Sequence, residues 1–214
     1  MITPVILSIL GVVLLIVLWM MRSPSRAALP AAKQAPQVPP PPIDLHPSEA
    51  RNGDYVSISG AAADFSDVDF TVDRRSSYQV GGRRWVDLSG EFRGERVYLE
   101  VQPKPSTEAM GILDSRKLSL ADLRISEQQL ADFDSKQDPN QSISFEGKNW
   151  NYESSRELGY FENEVGQGEG LYRWLFREPN GDRLLCVEKW EGEPFDVRIA
   201  RRLKTPDITV FRAA

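Results

Sequence analysis

The chain has 214 residues, with 26 Lys+Arg against 31 Asp+Glu and a single cysteine and a single histidine. Beyond Leu45 the balance is 23 basic to 30 acidic residues, with the basic ones scattered. Nucleic acid is therefore excluded as an expected partner, because phosphate contacts need clustered positive charge. One Cys186 and one His46 also exclude an intramolecular disulfide framework and a multi-ligand zinc or transition-metal site.

In chain order, residues 2–21 come first and carry no charge. About 20 apolar residues at 1.5 Å rise cover the ~30 Å hydrocarbon core of a bilayer. Pro4 falls in the first turn, where a missing N–H costs nothing. Trp19 falls at the interface and Arg22 ends the run, so a single transmembrane helix is expected over 2–21. A cleaved signal peptide is the competing reading. It has a cleavage-like stretch at 27–32 but no basic n-region. Arg22, Arg26 and Lys33 all follow the span. The positive-inside rule then places the N-terminus outside the inner membrane and the C-terminal domain in the cytoplasm. The lipid bilayer is the first expected partner.

Residues 22–45 are rich in Ala, Pro and Gln, with Pro39 to Pro42 consecutive. Such a stretch reads as a semi-rigid polyproline spacer at ~3.1 Å per residue.

From 46 to 214 the hydrophobic pattern has a period near two, broken by turn residues. It predicts strands at 55–59, 69–72, 78–80, 84–91, 96–102, 142–146, 150–153, 158–163, 171–177, 183–190, 195–200 and 208–211. Pro179-Asn180-Gly181-Asp182 is the strongest hairpin signal. Ser126 and Gln129 form a capping box, which starts a short helix over 127–135, and a helical turn is expected in 118–123. At an offset of 87 residues, Leu88, Glu91, Gly94, Arg96 and Val97 fall opposite Leu175, Glu178, Gly181, Arg183 and Leu184. This predicts an internal duplication, about 51–103 and 140–212. The expected fold is mostly β with a short α insertion. Two related antiparallel β units form a sandwich or barrel-like domain after one transmembrane helix.

The stretch from Phe145 to Trp150, Leu158-Gly159-Tyr160-Phe161, Leu171-Tyr172-Arg173-Trp174 and 184–193 resembles a bacterial family. It is numbered 4178 among the domains of unknown function. Gly53-Asp54-Tyr55-Val56 and Trp85-Val86-Asp87-Leu88 resemble its opening. The resemblance spans most of 51–211. It implies a place in a cytoplasmic-membrane stress or envelope-maintenance assembly, with a membrane-associated protein partner, and it carries no catalytic residues.

No catalytic, cofactor or metal residue is expected. Tyr172, Trp174 and Phe176 alternate onto one face of a strand, which reads first as the core face of the sheet; as the alternative they form, with Trp190, the candidate partner or ligand surface. Asp64, Asp67, Asp69 and Asp73 lack the glycine and spacing of a calcium loop. Asp87, Glu100, Glu178 and Glu188 read as acids on the outer face of a sheet, pairing with Arg84, Arg96 or Arg183 across strands. Gly166-Gln167-Gly168-Glu169-Gly170 lacks the following helix of a phosphate loop. Cys186 reads as a buried strand residue. The leading expectation is a membrane-tethered, non-enzymatic interaction module. The alternative is a sensor domain that binds a small molecule or lipid head group.

Overall fold

The computed structural model describes residues 45–213. The predicted span 2–21 and the linker as far as residue 44 lie outside the described residues. Among the described residues, no helix is long and apolar enough to cross a membrane.

The described chain holds strands β1 (Tyr55–Ile58), β2 (Val68–Thr71), β3 (Arg74–Val80), β4 (Arg83–Phe92), β5 (Glu95–Val101) and β6 (Glu108–Ile112). Helices α1 (Leu120–Leu123) and α2 (Glu127–Lys136) follow. Strands β7 (Ser142–Phe145), β8 (Lys148–Phe161), β9 (Glu169–Arg177), β10 (Arg183–Trp190), β11 (Phe195–Lys204) and β12 (Ile208–Phe211) complete it.

Two four-stranded antiparallel meanders, β3-β4-β5-β6 and β8-β9-β10-β11, meet at both edges. Strand β6 pairs with β11 and β3 with β8, which closes an eight-stranded antiparallel barrel. Strand β7 adds to the start of β8 outside this ring. The expectation of a sandwich or a barrel thus resolves to a barrel. Closure leaves few free edges and an interior about as wide as one layer of side chains.

Local sequence sets the tight connections. Arg93 (φ 52°) and Gly94 (φ 82°) both take left-handed backbone between β4 and β5. That is the two-residue turn whose twist matches the flanking strands. Ser126 caps α2 as the capping box requires, accepting from the Gln129 N–H.

The barrel's outside is covered on both flanks. Over the first meander lies the three-stranded sheet β12-β1-β2, whose Val56, Ile58, Phe70 and Val210 pack on Val86, Leu88, Val97 and Leu99. Over the second lie the helices and the β7–β8 hairpin, with Leu130, Phe133 and Trp150 against Trp174, Phe176, Leu185 and Val197. Each fully buried aromatic side chain of this kind stabilises by about 3–5 kcal/mol when judged by truncation. Inside, an apolar plug of Leu184, Cys186 and Ala200 fills part of the lumen.

Four expectations are corrected. Strands 150–153 and 158–163 are one strand, β8, in which a bulge at Glu153 lets the polar run stay paired. Strand β6 went unpredicted, since Glu108-Ala109-Met110-Gly111-Ile112 has only one β-branched residue. Strands 55–59 and 69–72, placed in the first unit, belong to the covering sheet.

The fourth concerns the duplication. The two hairpins share one register: Leu88 pairs Leu99, and 87 residues on, Leu175 pairs Cys186. Facing is reversed, however. Leu88 packs outward beneath the covering sheet, whereas Leu175 packs inward beside Cys186. Register fixes which residues pair across strands and leaves open which side of the sheet turns inward. The correspondence is one of turn and pairing, and it does not extend to which side is buried.

Candidate functional site: a polar cavity in the barrel

Along each barrel strand, alternate residues point into the lumen. Strand β3 contributes Arg74, Ser76 and Tyr78, and β4 contributes Trp85, Asp87 and Ser89, paired across as Tyr78↔Trp85 and Ser76↔Asp87. Glu100 lies opposite Asp87 on β5, and Glu188 lies opposite Arg173 between β10 and β9. The lumen is therefore polar at its centre.

Arg173 is buried and organises this centre. Its guanidinium reaches Glu100 (2.8 Å) and Glu188 (2.6 Å). Trp85 Nε1 donates to Glu100 Oε2 at 2.8 Å, and Trp190 Nε1 donates to Glu188 Oε2 at 3.3 Å. The guanidinium also lies 4.5 Å over the Tyr78 ring. Burial works against the Arg173 charge, but Glu100 and Glu188 outweigh it and hold the group above the ordinary arginine value. Burial pushes the neighbouring Cys186 thiol up, so it stays a thiol.

Beside this triad is a cavity of about 280 Å³. This is at the lower edge of the ~300–1,000 Å³ typical of ligand pockets. Its walls include Tyr78, Tyr98, Tyr160, Trp190, Asp87 and Arg74, and it meets solvent at Glu162, Glu169 and Asp196. Tyr78 and Tyr160 lie 5.1 Å apart, and Tyr160 meets Trp190 edge-on at 5.2 Å. Asp87 is 3% exposed. Burial, and then the charge of Glu100, hold its carboxyl well above the usual carboxylate range. No hydrogen-bonding partner faces its side chain among the described residues.

The residues singled out from sequence divide between two places. Trp174 and Phe176 are interior: Trp174 donates Nε1 to the Leu130 carbonyl of α2 at 3.0 Å, and Phe176 is wholly buried against Phe133. Tyr172 is half-buried and donates its hydroxyl to Asp134 of α2. The stripe is thus the seat of α2 and not a free surface, because an aromatic face needs a cover and α2 supplies it. Trp190 lies on the other side of the sheet and lines the cavity.

The expectation for the strand acids is corrected. Asp87, Glu100 and Glu188 face the lumen, and Arg173 takes the last two, while Arg84 bonds Ser77 and Arg96 bonds Asp73. Glu178 does pair with Arg183, at 3.7 Å, and more closely with Lys148. One signal for the site was available in the sequence. Once Arg93-Gly94 is taken as the turn, its register sets Asp87 directly opposite Glu100. Two like charges in that position are unfavourable on an exposed sheet.

The acid-rich segment around Asp64 forms local contacts, with Asp64 bonded to Ser66 and Arg93. Residues 165–168 lead from a single 3₁₀ turn (Glu162–Glu164) into β9, whose first residue, Glu169, stands at the cavity rim. Among the described residues, no group of three or more His, Cys, Asp or Glu side chains is placed to hold a metal ion.

Neither a curated protein nor a solved structure matches the chain. A family model described as "Domain of unknown function (DUF4178)" matches residues 59–205, a span that takes in every strand of the barrel and the cavity. On that match, which covers well over half of its length, the chain belongs to the DUF4178 family.

Proposed function

We propose that the chain is a ligand-binding module whose site is the barrel cavity, held at the cytoplasmic face of a bilayer by residues 2–21. The observation that carries the reading is Asp87: a buried carboxyl that faces an aromatic-walled cavity and is held there beside a second carboxylate, Glu100. Burying such a group costs free energy unless something pairs with it, so a fold that keeps it there gains if a ligand does the pairing. The anchor is supported by the uncharged apolar run and the basic residues that follow it.

An adaptor in a membrane-stress or envelope-maintenance assembly draws its support from the aromatic stripe, and two of those rings are interior. Catalysis by a carboxylate pair draws less support than binding, because Glu100 and Glu188 are both committed to Arg173.

Native mass spectrometry of the full chain, released from gently solubilised membranes, tests the binding reading. The native chain should carry a small added mass that the Ile112→Trp variant, filled at the cavity wall, lacks. Near-ultraviolet circular dichroism checks that the variant is folded. Absence of any added mass on the native chain would remove the reading.

A further inference from the structure

The chemical class of the ligand follows from the charges on the cavity wall, and it rests on the binding reading above. Each arginine near the cavity holds an ion pair, although Arg74 keeps a buried Nε without a hydrogen-bond partner. Arg173 is shared by Glu100 and Glu188, Arg198 Nε lies 2.9 Å from Asp196, and Arg74 lies 2.9 Å from Glu162. With those pairs formed, Asp87 on the wall and Glu169 at the rim have no ion-pair partner among the described residues. The triad itself holds two carboxylates and one guanidinium. Acids thus outnumber arginines around the cavity, and the balance of charge is negative once Asp87 gives up its proton.

The walls fit the same sign. Tyr78, Tyr160 and Trp190 present ring faces and edges a few ångströms apart. Tyr78 already carries a cation on its face, the Arg173 guanidinium at 4.5 Å. Aromatic faces attract cations, more strongly where water is excluded. An inorganic metal ion is the poorer fit, since no three metal-ligating side chains converge among the described residues.

We propose that the cavity binds a small organic cation, a primary amine or a guanidinium, whose charge pairs with the Asp87 carboxylate and whose body lies against the Tyr160 and Trp190 rings on the cavity wall. Binding draws a proton off Asp87 into solvent, so the pair forms as carboxylate and cation. Glu169 at the rim adds attraction during entry.

Isothermal titration calorimetry on the full chain in mild detergent tests this with four probes: benzylamine, methylguanidinium, benzyl alcohol and benzoate. The two cations should saturate a single site, and benzyl alcohol and benzoate should not. Asp87→Asn, which keeps the side chain's shape, should weaken benzylamine about tenfold or more, since a charge-assisted contact is lost. Glu169→Gln should lower the association rate with a smaller change in affinity. Saturation by benzoate alone would overturn the cation class and leave the binding reading standing. Equal benzylamine affinity in native protein and Asp87→Asn would overturn the role of Asp87. No binding by either cation, with the co-purified mass still present, would overturn the class alone. If that mass is missing too, both readings fall.

Discussion

At the scale of single residues, the molecule turns on whether a charged side chain inside a barrel is paired. Arg173 is paired twice over, which is why so buried a guanidinium is tolerated. Asp87 is not paired, and its carboxyl is held above the ordinary value by burial first and by Glu100 second, with Arg173 and Arg74 working in the opposite direction and Glu188 adding to the rise. The folded state thus holds this proton more tightly than the unfolded chain does. Its contribution to stability is complete below the unfolded carboxylate value of about 3.9 and is lost as pH rises to and through the higher folded value. Within that window the slope is at most about 1.4 kcal/mol per pH unit. Asp87→Asn stays neutral throughout. The variant should therefore gain stability relative to the native chain between pH 5 and pH 8, measured by urea unfolding of the fragment that starts at Leu45. A native-to-variant difference that is the same at both pH values would refute this. The sequence displayed these residues without their facing. Period two says that Asp87 and Leu88 lie on opposite sides, but a strand buried on both sides leaves the choice of inside to tertiary closure.

At the scale of elements, what could be read in advance was whatever short-range chemistry dictates. The capping box placed α2 to within a residue, and the turn residues placed the hairpins. Strand β6, paired with β5 and β11, and the polar middle of β8, paired with β9, were missed because their stability comes from neighbouring strands and not from their own propensity. The offset of 87 identified two hairpins of common register, and it said nothing of their covers. Those covers differ at a single informative position. Gly90 on β4 sits beneath β2, where an added Cβ would come within 2.3 Å of the Thr71 carbonyl oxygen and 2.6 Å of the Phe70 ring. Its counterpart on β9, Arg177, is exposed. The covering sheet therefore approaches the first meander closely because residue 90 lacks a side chain. Gly90→Ala should cost about 1–3 kcal/mol through overpacking. Chemical denaturation reads the loss, and the β2–β4 contact should be the one that loosens in hydrogen exchange. An alanine tolerated with no change in midpoint would show that the sheet can lift off freely.

At the scale of the whole molecule, the barrel spends its apolar exterior on its own covers. Of the large hydrophobic residues left exposed among the described ones, Tyr55 opens the middle strand of the covering sheet beside Phe211, and Phe65 and Val165 are loop positions. Membrane attachment is proposed for residues 2–21, which lie outside this described body. That makes the anchor a separable property, and separability gives the prediction its force. The full chain should stay in the membrane pellet through an alkaline carbonate wash, while the fragment from Leu45 should remain soluble and keep the same near-ultraviolet spectrum. If residues 2–21 anchor the chain as proposed, the basic residues that follow them favour a cytoplasmic barrel, and a C-terminal alkaline phosphatase fusion should be inactive and a C-terminal fluorescent protein bright. Extraction of the full chain by carbonate would show that the apolar run does not span. A phosphatase fusion active in place of the fluorescent one would show that it spans the other way, with the cavity open to the outer compartment and its ligand drawn from there.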